Sequence, residues 1–528
     1  MVGAGIIGTA IGARLAGAGA EVCVVDRAGP GAGTSSAGEG NLLASDKLPG
    51  PELEMAVRGI QLWRRLAEEA GDHFEFQPKG GLVVARTPVE LEALSSLVGR
   101  QRQAGLDVEV VGPDDLLRLE PELSPGLLGG AFYEGDCQVQ PMLAVAFHVA
   151  QLKALGGRVV SGAEVLGAER DGDGAVRSVE TTLGRVAVGK WVVNAAGPWA
   201  GELARRLGSE VAVHPRRGYI LVTEPLPLVV RHKVYEAGYV ATVYGNTEQA
   251  ACSAVVEATM SGTVLIGSSR ELVGFSEHFD HAIAAEMASR AIALFPNLAR
   301  ARVIRAYMGF RPATPDGLPV IGVDPAMGNL VHATGHEGAG IGLAEVTAEL
   351  VEALVRGTPA PLDLAPFAPT RFRGGTGRPA LGTALPTGGT TSLTGGLTGG
   401  LTGATSRILT GASREAAGGL HGLPSASWPE DAGPGQLNFR FDGRRLTAPA
   451  GSTIAGALVR NGVWVFRRAR AGASPHGLFC GIGTCFECLV DRNDESAVRA
   501  CSALLREGDD VRPSRSVGLA SSERRAHG

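Results

Sequence analysis

Four of the seven cysteines lie near the C-terminus with a spacing that suits an iron–sulfur cluster. They are Cys480, Cys485, Cys488 and Cys501. The pattern C-x4-C-x2-C, with a fourth cysteine after twelve more residues, is the ligand spacing of a plant-type [2Fe–2S] centre. Gly481 and Gly483 lie between the first two ligands, where glycine lets the backbone turn tightly and direct N–H groups at an anionic cluster. The pattern therefore predicts a centre that carries one electron at a time.

Zinc and disulfides are the alternatives for these four cysteines. Structural zinc sites commonly use two short C-x2–4-C pairs, whereas this segment has one. A disulfide framework is typical of small secreted proteins rather than of a long chain without a secretory signal. The spacing therefore favours iron and sulfide over both alternatives. Cys23, Cys137 and Cys252 are scattered and are expected to be ordinary buried thiols.

The opposite end of the chain carries a glycine-rich loop that suits a dinucleotide. Residues 3–8 read G-A-G-I-I-G, which is the G-x-G-x-x-G pattern. In such a loop Gly3 makes the turn, Gly5 lets backbone approach a pyrophosphate, and Gly8 lets helix and strand pack closely. Asp26 ends the next predicted strand, eighteen residues after Gly8, where a carboxylate can accept hydrogen bonds from ribose hydroxyls. We therefore expect a cofactor-binding enzyme joined to an electron-transfer centre.

Length and charge limit the classes of protein to which the chain can belong. With 528 residues it can form two or more domains, and its net charge of −5 provides no electrostatic footprint for nucleic acid. Arg14 and Asp26 interrupt the apolar segment after the loop, so no transmembrane span is predicted there. The loop begins at Gly3, which leaves no room for an ordinary signal peptide. We therefore expect a cytoplasmic protein.

Composition divides the chain into two predicted domains and a linker. Residues 371–435 lose apolar periodicity and repeat the pattern L-T-G-G, so we predict a Gly/Thr-rich flexible linker. A chain of this kind has a mean span of roughly 40–45 Å. Residues 1–370 are predicted to form the oxidoreductase, residues 436–515 a [2Fe–2S] ferredoxin-like domain and residues 516–528 a disordered tail. In the oxidoreductase the predicted nucleotide part is about 1–75, 140–210 and 305–360, and the substrate part about 76–139 and 211–304.

Hydrophobic periodicity predicts the elements that carry the loops. Helices are expected over Ile6–Ala18 and Leu53–Ala70, with a buried strand over Glu21–Asp26 between them. Later strands of a predicted antiparallel sheet are Gly81–Arg86, Gly218–Thr223, Val264–Ser268 and Val303–Phe310. The predicted fold class is therefore α/β, with a doubly wound nucleotide domain interleaved with an antiparallel-sheet substrate domain.

The segment before the cysteines predicts a small ferredoxin-like fold. Leu437–Leu446 is expected to form a hairpin, because Asp442-Gly443 is a type I′ turn signal. Ser452 or Thr453 then caps a short helix that extends through Val459. The order of hairpin, helix and cysteine loop resembles a β-grasp ferredoxin.

Two later glycine-rich turns favour FAD over NAD as the dinucleotide. Residues 192–197 read V-V-N-A-A-G and residues 334–342 read T-G-H-E-G-A-G-I-G. A long cofactor that crosses a whole domain needs several such close approaches of the backbone. The helix that begins at Leu343 would direct the positive end of its dipole towards the flavin pyrimidine ring. Tight strand-to-helix turns without a ligand are the alternative.

These turns, together with residues 33–36 (G-T-S-S) and 309–312 (G-F-R-P), resemble the D-amino-acid oxidase/glycine oxidase family of flavoproteins over about residues 1–360. Residues 478–500 are similar to the small [2Fe–2S] subunit of hydrogen cyanide synthase and related amino-acid dehydrogenases. The resemblance implies non-covalent FAD, since Met308 rather than a cysteine lies near the position at which sarcosine oxidases attach flavin. The FAD-binding residues that it implies are Gly3, Gly5, Ile7, Gly8, Asp26, Arg27, Thr34, Ser35, Ala196, Gly197, Gly335, Gly338, Gly340 and Ile341.

The same resemblance implies a residue that holds the substrate. Arg311 matches the carboxylate-binding arginine of the family, and a bidentate guanidinium suits that task. A structural salt bridge to Asp316 is the alternative. His336 is a second predicted catalytic residue, although packing against the cofactor would explain it equally well. Further pocket candidates are Tyr219, Tyr307 and Arg270.

The leading hypothesis is an FAD-dependent dehydrogenase of a small amino or imino acid, such as glycine, a D-amino acid or a hydroxyproline-like acid. Electrons would pass to the tethered [2Fe–2S] cluster and on to an FAD/NAD-type oxidoreductase subunit or another acceptor, with peripheral membrane association left open. An oxidase that uses O2 and keeps a vestigial cluster domain is one alternative. A non-enzymatic iron–sulfur redox sensor or scaffold is the other.

One departure from the family concerns the first strand. The family has five or six strand residues before the first glycine of the loop, whereas this chain has Met1 and Val2. That strand is central in a doubly wound sheet, so its loss would leave the neighbouring strands unpaired. Either a start farther upstream or weak FAD binding is expected.

Overall fold

A computed structural model describes residues 1–71, 73–239, 251–372, 435–468, 475–478 and 487–514. Cys480, Cys485, Gly481 and Gly483 lie outside the described residues, as do almost all of the predicted linker and the tail that follows Ser514. Two of the four predicted cluster ligands, Cys488 and Cys501, are described.

Residues 1–372 alternate helices with strands, as the periodicity predicts. Their described helices are α1 (Ile6–Gly17), α2 (Pro51–Ala70), α3 (Pro88–Gln103), α4 (Pro113–Leu119), α5 (Pro141–Ala154), α6 (Ala200–Leu207), α7 (His281–Leu294) and α8 (Ala344–Arg356). Their described strands are β1 (Cys23–Asp26), β2 (Asn41–Leu42), β3 (Gly81–Ala85), β4 (Glu109–Val111), β5 (Gly129–Tyr133), β6 (Cys137–Gln138), β7 (Arg158–Ser161), β8 (Val165–Arg170), β9 (Val176–Thr181), β10 (Gly184–Ala187), β11 (Val192–Asn194), β12 (His214–Thr223), β13 (Lys233–Glu236), β14 (Ala251–Ala258), β15 (Val264–Arg270), β16 (Val303–Ala313), β17 (Val320–Val323) and β18 (Leu330–Thr334).

A mainly parallel sheet carries the first glycine-rich loop. β1 pairs in parallel with β7, β11 pairs in parallel with β18, and β18 pairs antiparallel with β17. Val2 forms parallel bridges to both β1 and β11, with its N–H 2.9 Å from Val193 O, and Val25 N–H lies 2.9 Å from Met1 O. The expectation that these neighbouring strands lack a partner is therefore wrong here, because Met1 and Val2 occupy the central position between them.

Helix α2 holds the last glycine-rich turn in place. The apolar face of α2 includes Ile60 and Trp63, both buried, and Trp63 Nε1 donates a hydrogen bond of 3.0 Å to Ile341 O. Gly59 allows the close approach, since a Cβ there would lie 2.3 Å from Gly342 O. The turn at residues 341–342 is thus fixed by a helix near the start of the chain.

The second large element is an eight-stranded sheet in the order β16-β12-β15-β14-β13-β3-β5-β4. Every neighbouring pair is antiparallel except β13 and β3, which run parallel with Lys233 opposite Gly81. The predicted antiparallel sheet therefore needs one correction at this pair. The chain crosses from β3 to β13 through a long intervening segment rather than through a hairpin, and such a crossover permits parallel pairing.

The described residues between 435 and 514 form a five-stranded sheet, a two-stranded sheet and one helix. The elements are β19 (Gln436–Phe441), β20 (Arg444–Pro449), α9 (Ile454–Arg460), β21 (Val465–Arg468), β22 (Pro475–Gly477), β23 (Leu489–Arg492), β24 (Glu495–Arg499) and β25 (Asp510–Pro513). Five strands pair in the order β20-β19-β25-β23-β24, with β19 and β25 parallel. Asp442 and Gly443 have φ of 49° and 81°, as the predicted type I′ turn requires. Thr453 is the helix N-cap, with its hydroxyl 3.1 Å from Gly456 N.

None of the helices in the described segments combines the length and the apolar composition that a membrane span requires.

Candidate active site

A cavity of about 280 Å3 lies between the parallel sheet and the eight-stranded sheet. Its lining gathers turns that are far apart in sequence. The predicted site residues that line it are Gly3, Gly5, Ile7, Asp26, Arg27, Thr34, Ser35, Ala196, Gly197, Arg311, His336, Gly338, Gly340 and Ile341. Gly8 and Gly335 are not part of the lining. Fourteen of the residues predicted from the motifs and the family resemblance therefore line one cavity.

The first glycine-rich loop has the shape of a phosphate cradle. Gly3 has φ of 106°, and a Cβ there would lie 2.3 Å from Ala195 O. Gly5 faces open space apart from Ser35 Oγ, 3.3 Å from an added Cβ. Gly8 packs against the turn, where a Cβ would lie 2.0 Å from Gly3 O, which explains why it does not line the cavity. The N-terminus of α1 has no acidic residue in its first turn, so its dipole can stabilise a pyrophosphate.

Asp26 shapes the neighbouring turn. Its Oδ2 accepts a hydrogen bond from Ala4 N at 2.8 Å, and its Oδ1 accepts from Ala28 N at 2.8 Å and Gly29 N at 2.9 Å. The carboxylate therefore joins the glycine-rich loop to the end of β1. A role towards ribose hydroxyls stays a prediction for this residue.

An aromatic wall that the sequence analysis missed flanks the same end of the cavity. The Arg27 guanidinium lies 3.8 Å from the ring centroid of Trp199, and Trp199 stacks on Phe275 with ring centroids 5.2 Å apart. Trp199 lines the cavity together with Arg27 and Gly33. The signal was available, since Trp199 follows the predicted turn at Ala196-Gly197 by two residues.

At the other end of the cavity three guanidinium groups surround one carboxylate. Glu337 Oε1 lies 3.2 Å from Arg270 Nε, 3.7 Å from Arg216 Nη1 and 4.0 Å from Arg311 Nε. The Glu337 side chain is 11% exposed. Burial would raise the pKa of this carboxyl, but Arg270, Arg311 and Arg216 overcome it and lower the pKa to about 2. Glu337 is therefore ionised and neutralises part of the positive charge.

Backbone register places two of these arginines side by side. Arg216 on β12 is directly opposite Arg311 on β16, so both side chains leave the same face of the sheet. Arg311 folds across Gly218, where a Cβ would lie 2.1 Å from its Nη1, and that Nη1 donates to Ser269 O at 2.8 Å. Burial, together with the neighbouring guanidinium of Arg270, lowers the pKa of Arg311. An anion beside these groups would therefore be strongly attracted.

The alternative partner for Arg311 does not contact it. Asp316 instead binds Arg371, with 2.7 Å between Asp316 Oδ2 and Arg371 Nε. Asp316 Oδ1 also accepts a hydrogen bond from Leu318 N at 3.1 Å. The carboxylate that could have made Arg311 purely structural is therefore engaged elsewhere.

A second charged group forms another wall of the cavity. Glu39 Oε2 accepts from Asn41 Nδ2 at 2.8 Å and lies 3.3 Å from Lys233 Nζ. Lys233 is 2% exposed, and its Nζ lies 3.7 Å from Glu257 Oε2. Burial raises the pKa of Glu257 to about 7, although Lys233 and Lys79 act in the opposite direction. Sequence reasoning missed this group, because its members come from four separate strands and loops.

The remaining pocket candidates differ in their positions. His336 lines the cavity, its Nε2 is 2.9 Å from Thr347 Oγ1, and burial lowers its pKa to about 3, so the ring is neutral. Tyr219 donates to His278 O at 3.0 Å within the core and does not line the cavity. Tyr307 does not line the cavity either. Arg270 is outside the lining, but its guanidinium contacts three residues that line the cavity, namely Glu337, Ser268 and Tyr239. The two tyrosines therefore match the packing interpretation.

The cluster segment is described at two of its four predicted ligands. Cys488 and Cys501 are 1% and 0% exposed and belong to the core that α9 also joins. Ala500 N donates to Cys488 O at 3.1 Å, which brings the two backbone segments together. Two buried cysteines held in neighbouring backbone segments are compatible with a cluster site.

Comparisons with known proteins agree with both halves of the chain. A model of the DAO family, "FAD dependent oxidoreductase", matches residues 1–354. The chain belongs to the DAO family. A model of a "2Fe-2S iron-sulfur cluster binding domain" matches residues 435–516.

Relatives with assigned activities come from the same family. The chain is 32% identical to glycine oxidase of Geobacillus kaustophilus over 387 residues, which covers 71% of this chain and 97% of that protein. It is 27% identical to hydrogen cyanide synthase subunit HcnC of Pseudomonas aeruginosa, over 59% of this chain and 72% of that subunit. The crystal structure of the Geobacillus glycine oxidase superposes with a TM-score of 0.64 at 29% identity, covering 71% of this chain and 98% of that one.

Family membership confirms the FAD and [2Fe–2S] predictions and the assignment to oxidoreductases that act on CH–NH or CH–NH2 donors. The DAO-type FAD-binding α/β fold is confirmed as well. FAD fits the cavity of this chain, because Gly5 leaves open space at the N-terminus of α1, where a pyrophosphate can approach the backbone.

Proposed function

We propose that the chain is an FAD-dependent dehydrogenase that oxidises the C–N bond of a small amino or imino acid and delivers the electrons through its own [2Fe–2S] domain to an external acceptor. Glycine, a D-amino acid or a hydroxyproline-like acid is the proposed substrate class, and the cytoplasm the proposed compartment. We also propose the domain division predicted from composition. Residues 1–370 form the oxidoreductase, residues 371–435 the linker, and residues 436–515 a [2Fe–2S] domain with a β-grasp arrangement. The observation that carries the proposal is that Arg311 lines the same cavity as the predicted FAD-binding turns, in a chain whose residues 435–516 match a [2Fe–2S] domain.

Positioning of the substrate is the main task of the protein residues. Arg311 would bind the substrate carboxylate, since a guanidinium fork matches two carboxylate oxygens. The Arg311 side chain is only 16% exposed, so little water competes with that ion pair. When bound, FAD accepts the hydride that leaves the substrate Cα. Gly338 and Gly340, before α8, would hold the flavin edge of the cofactor against this site.

Contacts between the two units support transfer within one chain. Arg499 Nη1, two residues before Cys501, lies 3.5 Å from Glu75 Oε1 of the oxidoreductase unit. Gly456 on α9 faces Pro225 closely, because a Cβ at Gly456 would lie 3.0 Å from Pro225 Cβ. A linker of about sixty residues also keeps the local concentration of the cluster unit on the order of millimolar. Docking of the cluster unit on its own flavin unit is therefore favoured over transfer between chains.

The test is a substrate screen of the anaerobically purified protein with glycine, D-amino acids and cyclic imino acids. We expect turnover with a one-electron dye and slow turnover with O2. The Cys501→Ser variant should keep flavin reduction by substrate but lose rapid dye reduction. Absence of turnover on every acid, with FAD bound, would contradict the proposed reaction.

The docking contact has its own test. Arg499→Glu should slow reduction of the cluster after the flavin, and the double variant with Glu75→Arg should restore it, because the ion pair is re-formed with reversed charges. Cluster reduction whose rate rises with protein concentration would contradict transfer within one chain.

An O2-using amino-acid oxidase is the second candidate, and the 32% identity to a glycine oxidase favours it. In that case O2 consumption would equal substrate oxidation. The Cys501→Ser variant would then turn over at the rate of the unaltered protein.

A further inference from the structure

We propose that Glu39 and Asn41 form the site that binds the amine nitrogen of the substrate, in the same cavity as the carboxylate site at Arg311. The inference rests on the proposed function and deepens it, because it assigns the second charged end of an amino or imino acid. Glu39, Asn41 and Arg311 all line the one cavity.

Two buried acceptors on this wall lack donors. Glu39 Oε1 and Asn41 Oδ1 are buried, and neither accepts a hydrogen bond from the part of the chain that the structure describes. The Glu39 side chain is 10% exposed. An unpaired buried acceptor costs about 1–3 kcal/mol, and more when it is charged, so a site that keeps two of them is built for a ligand that donates.

The other atoms of the pair are fixed by protein contacts. Asn41 Nδ2 donates to Glu39 Oε2 at 2.8 Å, so its Oδ1 is left to accept from the cavity. Lys233 Nζ lies 3.3 Å from the same Glu39 Oε2 and balances the carboxylate charge. A Cβ on Gly267 would lie 2.1 Å from Glu39 Oε1, so the glycine makes room for that oxygen. The carboxylate is therefore held in one orientation with its Oε1 available.

Charge complementarity identifies the donor. The same cavity carries Arg311, which attracts a carboxylate, and the pair Glu39 and Asn41, which offers a carboxylate and an amide oxygen. A primary or secondary ammonium group has a positive charge and two or three N–H donors. It therefore matches the charged acceptor Glu39 Oε1 and the neutral acceptor Asn41 Oδ1. A zwitterionic amino or imino acid thus finds a partner at each end, and the Cα between them is positioned by both.

The same acceptors could instead receive an N–H of the flavin. In that case a change at Glu39 would weaken every ligand of the cavity and shift the flavin absorbance. The proposal instead requires that a change at Glu39 weakens ligands that carry an amine and spares ligands that lack one. This difference is measurable without turnover.

The experiment compares acids with and without the amine: glycine with acetate, D-alanine with propionate and proline with cyclopentanecarboxylate. Binding of the plain acids is followed by the flavin absorbance change, and binding of the amino acids by the concentration that gives half-maximal anaerobic flavin reduction. For Glu39→Gln we expect that concentration to rise about tenfold to a hundredfold, the size of a lost charge-assisted hydrogen bond, with acid binding changed less than about threefold. Glu236→Gln is the matched control, because Glu236 is a buried, paired glutamate on β13, the strand of Lys233, and does not line the cavity.

Two further variants protect the test against misfolding. Glu39→Asp keeps the charge and should recover most of the amino-acid binding, and Asn41→Ala should weaken the amino acids alone, by less than Glu39→Gln. Flavin content and the flavin spectrum should match those of the unaltered protein in all variants.

Equal losses for the acids and the amino acids, or no loss for either, would overturn the inference while the proposed function stands. Failure of the unaltered protein to bind or oxidise any of the six compounds would overturn the proposed function and this inference together.

Discussion

Removal of the Glu337 charge tests the electrostatic account of the arginine cluster most directly. The carboxyl is buried among Arg216, Arg270 and Arg311, and its pKa in the folded protein is lowered from 4.5 to about 2. One pKa unit corresponds to about 1.4 kcal/mol, so the ionised carboxylate contributes about 3 kcal/mol to the stability of the oxidoreductase unit at pH 7. Glu337→Gln should lower the free energy of unfolding by about that amount. The φ of Glu337, 45°, is as accessible to glutamine as to glutamate.

The pH dependence follows from the sign of the shift. Because the folded pKa is depressed, the stabilisation is fully present above the unfolded pKa near 4.5 and is lost as the pH falls through about 2. The difference between the two proteins should therefore shrink by about 1 kcal/mol between pH 7 and pH 4.

The assay is urea unfolding followed by flavin release, which reports the oxidoreductase unit. Glu169→Gln is the control, since Glu169 pairs with Arg185 at the surface, away from the cavity, and should contribute less than about 1 kcal/mol. Acetate should restore part of the stability of Glu337→Gln, because an added carboxylate replaces the lost charge. Equal stability of Glu337→Gln and the unaltered protein at pH 7 would refute the account.

Three further predictions concern the cluster, the substrate site and the buried imidazole. The unaltered protein should hold about two iron atoms per chain, with acid-labile sulfide and a rhombic EPR signal on reduction. Cys501→Ser should abolish the sulfide and the EPR signal and leave FAD bound. Tightly bound zinc without sulfide in the unaltered protein would contradict the prediction. Arg311→Lys should weaken transition-state binding by about 2–4 kcal/mol, mostly as a higher KM, with unchanged flavin content; unaltered kinetics would remove Arg311 from the site. His336 has a pKa lowered from 6.5 to about 3, so its neutral state stabilises the protein fully above pH 6.5 and less as the pH falls towards 3. The free energy of unfolding should therefore fall by about 2 kcal/mol between pH 6.5 and pH 5 because of His336, and this fall should be absent in His336→Asn. An equal fall in both proteins, measured by denaturant titration at the two pH values, would contradict the prediction.

The cofactor turns were predictable because their information is local. Gly3, Gly5 and Gly197 are needed where the backbone turns or approaches a ligand, and a glycine spacing records that need directly. The hairpin at Asp442-Gly443 was predictable for the same reason. Short-range geometry of this kind can be recognised from the types of consecutive residues.

The charged walls of the cavity were not predictable because they depend on sheet pairing. Arg216 lies beside Arg311 only when β12 and β16 pair in register, and both reach Glu337 only when the turn after β18 packs against them. Glu39, in the loop before β2, meets Lys233 of β13 only in the folded protein. A single sequence carries no periodic signal for such long-range partners. The parallel pair of β13 and β3 was also the part of the sheet that the sequence analysis assigned wrongly.

The hydrogen bond from Trp63 to the carbonyl of Ile341 has a consequence for biosynthesis. The cavity that fits FAD is closed by a turn that leaves the ribosome more than 330 residues after the glycine-rich loop, and β18 must also insert beside β11, the strand that Val2 joins. A nascent chain shorter than this therefore cannot retain the cofactor, and synthesis of the cysteine segment begins only after the flavin cradle is complete. Maturation of the protein is thus ordered by the chain itself, with flavin loading able to precede insertion of iron and sulfide.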